Sequence, residues 1–107
     1  MKPYRVLFAR DALEQLALAK RWYNKKSKGL GHKLQSEVAE TIRMIKRNPF
    51  FEPVQYEGIR IAGCKNFPYS LHYQVNEGQR TVLVTIVIHQ HRKPFWLPDI
   101  SDKDEDE

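Results

Sequence analysis

Apolar side chains recur along this chain with more than one period, and the changes of period divide it into elements. Tyr4-Arg5-Val6-Leu7-Phe8 is short, β-rich and partly alternating, which predicts a first strand. Asp11 offers a helix cap. Ala12, Leu13, Leu16, Ala19, Lys20 and Tyr23 follow at three- and four-residue steps, along one face of a helix ending near Lys26. Gly29 and Gly31 break that helix, and Leu34, Val38, Ile42 and Ile45 set out a second one, closed by Asn48-Pro49. Alternation then replaces helical spacing. Ile59 and Ile61 flank Arg60, and Tyr69, Leu71, Tyr73 and Val75 alternate with Ser70, His72 and Gln74, as half-buried strands do. Val82 to Ile88 is apolar on both faces and reads as the central strand. The predicted order is β-α-α-β-β-β without internal repeats. The expected fold class is α+β, a helical hairpin packed on one face of a small antiparallel sheet of about four strands, with the first strand at an edge.

Register decides which polar groups share a surface. With Asn76-Glu77-Gly78-Gln79 as the loop, Val75 faces Arg80, Tyr73 faces Val82, Leu71 faces Val84 and Tyr69 faces Ile86, all directed at the helices. His72, His89 and His91 then fall on the opposite, open face. His72 sits across from Leu83, about 20 Å short of His89 at roughly 3.3 Å per residue. His72 is therefore expected as a surface strand residue and not as a partner of His89.

The length of 107 residues fits one domain, which we place at residues 1–98, with residues 99–107 as an acidic, disordered tail. Cys64 is the only cysteine, so neither a disulfide framework nor a thiolate metal cluster is available, in keeping with a reducing cytoplasm. No apolar run approaches the roughly 18 residues of a membrane span, and no membrane partner is expected. The formal charge of +5 understates the asymmetry. Six of the 13 acidic residues follow Pro98 against Lys103 alone among the bases, so residues 1–98 hold 17 basic and 7 acidic side chains, a net +10. A body so charged suits a polyanion or an acidic protein segment, or simply a solvated lysine surface.

The chain has no phosphate-binding glycine loop, no His-Glu-x-x-His and no glycine-flanked serine. The polar residues expected near one end of the sheet are Arg60, Lys65, His89, His91 and Arg92. Such a set can cleave RNA without metal: a base takes the 2′-hydroxyl proton, cations hold the charge building on phosphate, and an acid protonates the departing 5′-oxygen. His89 and His91, two apart on extended chain, also have the spacing of metal ligands, but without a nearby carboxylate or thiolate the site is incomplete. No metal or cofactor is expected. Alternatively His89 caps the sheet and His91 is solvated. Trp22 and Tyr23 read as core and helix-edge groups, and Phe95 and Trp96 as aromatics that fold back onto the domain.

These pieces, in this order, resemble the RelE/ParE superfamily of bacterial toxins from type II toxin-antitoxin modules, which includes plasmid stabilisation proteins. The resemblance spans most of residues 4–97. Its carriers are the helix with Ala12, Leu16 and Trp22-Tyr23, then Gly29-Leu30-Gly31, Asn48-Pro49, Phe67-Pro68-Tyr69 with Tyr73-x-Val75, and His89-x-x-Arg92-x-Pro94-x-Trp96. It implies a cytoplasmic, growth-inhibiting toxin neutralised by a cognate antitoxin. The implied target is DNA gyrase, as for ParE-like members, or the ribosome with its messenger RNA, which RelE-like members cut as endoribonucleases. The Phe-Pro-Tyr and His-x-x-Arg-x-Pro pieces look closer to the ParE branch. A non-toxic binding module that keeps the fold is the alternative.

Overall fold

A computed structural model describes residues 3–90 of the chain. Its elements are β1 (Arg5–Phe8), α1 (Arg10–Lys26), α2 (Leu30–Arg47), β2 (Val54–Tyr56), β3 (Ile59–Gly63), β4 (Tyr69–Asn76) and β5 (Thr81–His89). The strands form one five-stranded sheet in the order β1-β5-β4-β3-β2. As the hydrophobic pattern predicts, the two helices pack on one face and β1 is an edge.

Two expectations about the sheet need correction. It is mixed, because β1 runs parallel to β5 while the other pairs are antiparallel. Parallel and antiparallel pairs share the same period of two, so alternation along β1 carries no sign of its direction. The sheet also has a further strand, β2, with only three residues, too few to display a period.

The helix hairpin is set by its glycines. Gly29 caps α2 with φ at +83°, a left-handed conformation that favours glycine. Gly31 lies buried where α1 and α2 approach most closely: a Cβ there would stand 2.3 Å from the Lys20 carbonyl oxygen, and its own N–H donates to Asn24 Oδ1 at 2.7 Å. Asp11 is not the cap of α1. Ala9 occupies that position without a side-chain bond, and its N–H donates instead to the Val84 carbonyl at 2.9 Å, so the sheet itself anchors the start of the helix. Asp11 sits in the first turn, where a negative charge suits the helix dipole.

The core gathers Ala12 and Ala19 of α1, Leu34, Val38 and Ile45 of α2, and Ala62, Leu71, Tyr73, Val82, Val84 and Val87 of the sheet. Tyr73 is wholly buried, with its hydroxyl donating to the Pro49 carbonyl at 2.9 Å. Burial pushes this phenol up to about 12.

The β4–β5 register differs from the expected one, and the difference shapes the rest of the molecule. The turn is Glu77 to Arg80, so Val75 pairs with Val82 and Tyr73 with Val84, two residues on from the expected partners but with the same sides facing the helices. A bulge then intervenes: His72 pairs with Ile86 and Leu71 with Val87, leaving Thr85 extra. Its hydroxyl donates to the His72 carbonyl at 3.3 Å. Beyond Thr85 the faces of β5 exchange. Val87 and His89 turn toward the helices with Leu71 and Tyr69, whereas Ile86 joins His72 and Ile61 on the helix-free face.

Candidate functional site

The bulge and the shortness of β1 together open a groove. β1 accompanies β5 only as far as the Phe8–Val84 pair, and the next five residues of β5 have α1 beside them instead of a strand. Gln15 substitutes for the missing strand by accepting the Val87 N–H on Oε1 at 2.8 Å. The resulting cavity, about 530 Å³, is lined by Gln15, Leu18, Ala19 and Trp22 from α1, Tyr69 from β4, and Val87, Ile88 and His89 from β5. That volume lies in the usual range for ligand pockets.

The outer lip is apolar and open to solvent, with Leu18 57% and Trp22 53% exposed. Trp22 is therefore not the core residue that the sequence predicts. Tyr23, half-buried beside it, links the lip to the sheet through edge contacts to Trp22 at 4.9 Å, Phe67 at 5.1 Å and Tyr69 at 6.1 Å. Lys26 places its ammonium 4.7 Å above the Trp22 ring. This stack holds a large aromatic surface in a fixed place at the protein boundary, which is how binding hot spots are built.

The loop between β3 and β4 is fastened beside the groove. The Glu37 carboxylate of α2 accepts the Asn66 N–H at 2.9 Å and the Phe67 N–H at 3.1 Å, and also takes the Asn66 side-chain amide. Cys64, at the start of this loop, receives a hydrogen bond from the Thr41 hydroxyl at 3.8 Å. Burial raises its thiol pKa, an effect the Thr41 hydrogen bond opposes and the Glu37 charge reinforces. A thiol so placed is a packing group and not a thiolate nucleophile.

The residues predicted to form a polar cluster do not all meet. Arg60 pairs with Tyr73 on β3 and lies on the helix side, donating to the Glu52 carbonyl at 2.5 Å and stacking 5.0 Å from the Phe50 ring centre. His89 pairs with Tyr69, its ring 5.3 Å from the tyrosine ring. Tyr73 and Tyr69 are four residues apart, so Arg60 and His89 are separated by about 13 Å along the strands and by two strand spacings, about 10 Å, across them. Lys65 is exposed in the β3–β4 loop. His91 and Arg92, like Phe95, Trp96 and the acidic segment 99–107, lie outside the described residues.

The expected placement of the histidines also changes. His89 faces the groove on the helix side, because the Thr85 bulge reverses the faces of β5. His72 is on the helix-free face but is only 4% exposed, and its Nδ1 lies 2.7 Å from the Tyr56 hydroxyl of β2. Burial lowers the His72 pKa, keeping the ring neutral near pH 7. Ile61 and Ile86 flank it across the sheet as apolar neighbours. Among the described residues, no group of three or more His, Cys, Asp or Glu side chains is arranged to hold a metal ion.

The groove itself is not evident from the sequence pattern. Its traces in the sequence are the i, i+4 pair Leu18 and Trp22, which lies off the helix's inward face, and Gln15, a polar residue at helical spacing between Ala12 and Ala19.

Comparison with known proteins agrees with this architecture. The P. aeruginosa chain described as "Chromosomal ParDE TA system" superimposes with a TM-score of 0.70 at 13% identity, covering 80% of this chain and 95% of that one. A chain of the toxin-antitoxin complex RelBE2 from Mycobacterium tuberculosis superimposes with a TM-score of 0.61 at 23% identity, covering 83% and 93%. At these identities the likeness is one of fold. No curated protein matches the sequence. The profile of the family described as "ParE toxin of type II toxin-antitoxin system, parDE" matches residues 6–94. With most of its length matched, the chain belongs to the ParE toxin family of type II toxin-antitoxin systems.

Proposed function

We propose that this protein is a growth-inhibiting toxin that acts by binding DNA gyrase, and that a cognate antitoxin holds it inactive by filling the α1–β5 groove. The observation that carries this reading is the contrast between the groove and the dispersed polar residues. Leu18 and Trp22 form an exposed apolar lip over a groove floored by Val87 and Tyr69, whereas Arg60 and His89 stand too far apart to act on one phosphate. General acid-base chemistry needs its groups within hydrogen-bond reach of the same substrate. A binding protein needs no such convergence. The two superimposed chains come from systems described as toxin-antitoxin assemblies, which supports an antitoxin as the groove's occupant. An antitoxin segment suited to it carries apolar side chains for Leu18 and Trp22 and acidic ones for Lys25 and Lys26 at the rim, so salt weakens its attachment there.

The ribosome-dependent nuclease is the second reading, favoured by His89 with His91 and Arg92 following it in sequence. Inducing the protein in bacteria and assaying it purified separates the two. Trapped gyrase–DNA complexes, with messenger RNA intact on programmed ribosomes, are the expected result. Ribosome-dependent cleavage that falls by about 10² to 10⁴ in His89→Ala establishes the nuclease instead. Normal growth after induction leaves a non-toxic binding module.

A further inference from the structure

The described chain ends at Gln90, directly after groove residue His89, with the Gln90 N–H donating to the Pro68 carbonyl at 2.7 Å. Seventeen residues follow. Their sequence has two parts in a fixed order: Phe95-Trp96-Leu97, then, past Pro98, Asp99, Asp102, Asp104, Glu105, Asp106 and Glu107 against the single Lys103. The groove and its surroundings have the complementary order. An apolar lip at Leu18 and Trp22 comes first, and the exposed cations Arg21, Lys25, Lys26 and Lys28 cluster around and beyond Trp22. The acids of α1, Asp11 and Glu14, stand in its first turns, away from that end.

We propose that the chain's own C-terminal segment docks on this surface, with Phe95-Trp96-Leu97 over Leu18 and Trp22 and the acidic residues after Pro98 against Lys25, Lys26 and Lys28. The reach is ample. Five residues from Gln90 to Phe95 span up to about 17 Å extended, and one helical turn, about 5 Å, separates Trp22 from Lys26. β1 does not reach the β5 edge beyond Val84, which leaves the groove open to an extended segment. The acidic end needs no fixed conformation, since a run of carboxylates beside a run of cations is held by its mean field. The +10 body and the acidic tail are then two halves of one intramolecular contact. The inference rests on reading the groove as a docking surface, and its consequence is that an antitoxin displaces the segment to enter, so the segment lowers the antitoxin's apparent affinity.

The test is paramagnetic relaxation in the full chain. A nitroxide is attached at Ser101→Cys in a Cys64→Ser background, and amide signals of the described residues are recorded at low and high salt. The expected result is loss of signal concentrated at Leu18, Trp22, Lys25 and Lys26, recovering at about 1 M salt, where the Debye length falls to about 3 Å. A second measurement leaves both cysteine positions native: neutralising the tail with Asp102→Asn, Asp104→Asn, Glu105→Gln, Asp106→Asn and Glu107→Gln should shift the same α1 amides. Signal loss at Ile61, His72 and Ile86 would overturn the proposal by placing the segment on the helix-free face. Even loss over the whole surface would overturn it too, as would loss transmitted between separately labelled chains, which assigns the groove to a second copy. These outcomes report where the segment sits and not whether gyrase is trapped or an antitoxin binds, so the proposed function and this contact fail separately.

Discussion

The two halves of β5 are made of similar apolar residues and do different work. From Thr81 to Val84 the strand lies between β1 and β4, and Val82 and Val84 are fully buried. From Ile86 to His89 it still has β4 on one side, but on the other it has only α1 and the open groove. Composition does not separate the halves; lateral cover does. A first strand of four residues stops at Val84, and the Thr85 bulge turns Val87 and His89 toward the gap this leaves. A strand flanked by strands on both sides along one half borders an open groove along the other.

The sharpest way to break this comparison is to place a charge in each half. Val84→Asp puts a carboxylate among core side chains, a cost of several kcal/mol against a typical total stability of about 5–15 kcal/mol, and should abolish cooperative unfolding. Ile88→Asp, half-exposed near the end of the strand, should leave a folded protein with a lower unfolding midpoint. If both variants fold equally well by circular dichroism, the halves do not differ as described.

Next in size is Gly31→Ala. The new methyl group meets the Lys20 backbone carbonyl, which has no rotamer by which to escape, so α1 and α2 must separate. The expected loss is about 1–3 kcal/mol in chemical denaturation. Because α1 forms the outer wall of the groove, the same variant should also weaken antitoxin binding.

The smallest effect concerns His72, which faces Ile86 behind the groove. Its folded pKa lies below the unfolded value of about 6.5, so at higher pH both states are neutral and this group contributes no pH dependence. Below about pH 6.5 the unfolded chain takes up the proton first, so stability falls as the pH drops. His72→Gln should flatten that part of the stability profile. An unchanged slope would show that burial of His72 does not depress its pKa in the folded state.

Much of this fold is legible in the residues. The helices follow from three- and four-residue spacings, the hairpin from Gly29 and Gly31, and the order of the later strands from alternation in Tyr69 to Val75. The groove is not legible, for a specific reason. Val84-Thr85-Ile86-Val87-Ile88 is apolar or β-branched on both faces, so a one-residue slip at Thr85 changes no hydrophobic pattern and leaves no trace in the sequence. The burial of His72 is hidden for a related cause. Its cover comes from Tyr56, on a three-residue strand too short to announce itself. Grouping Arg60 with His89 required all the strands to be in register at one end, and the observed pairings place Arg60 toward the other.

Everything functional here turns on whether the uncovered half of β5 and the exposed face of α1 form the surface that binds a partner. The direct measurement is the affinity of the proposed cognate antitoxin for the intact protein and for Trp22→Ala, by calorimetry at fixed salt. Trp22 is 53% exposed, so truncating it should change the unfolding free energy by less than about 1 kcal/mol. As a hot spot it should nevertheless weaken binding by about 2 kcal/mol or more, which is roughly thirtyfold. Unchanged affinity in a folded Trp22→Ala protein would contradict the assignment and place the partner elsewhere on the molecule.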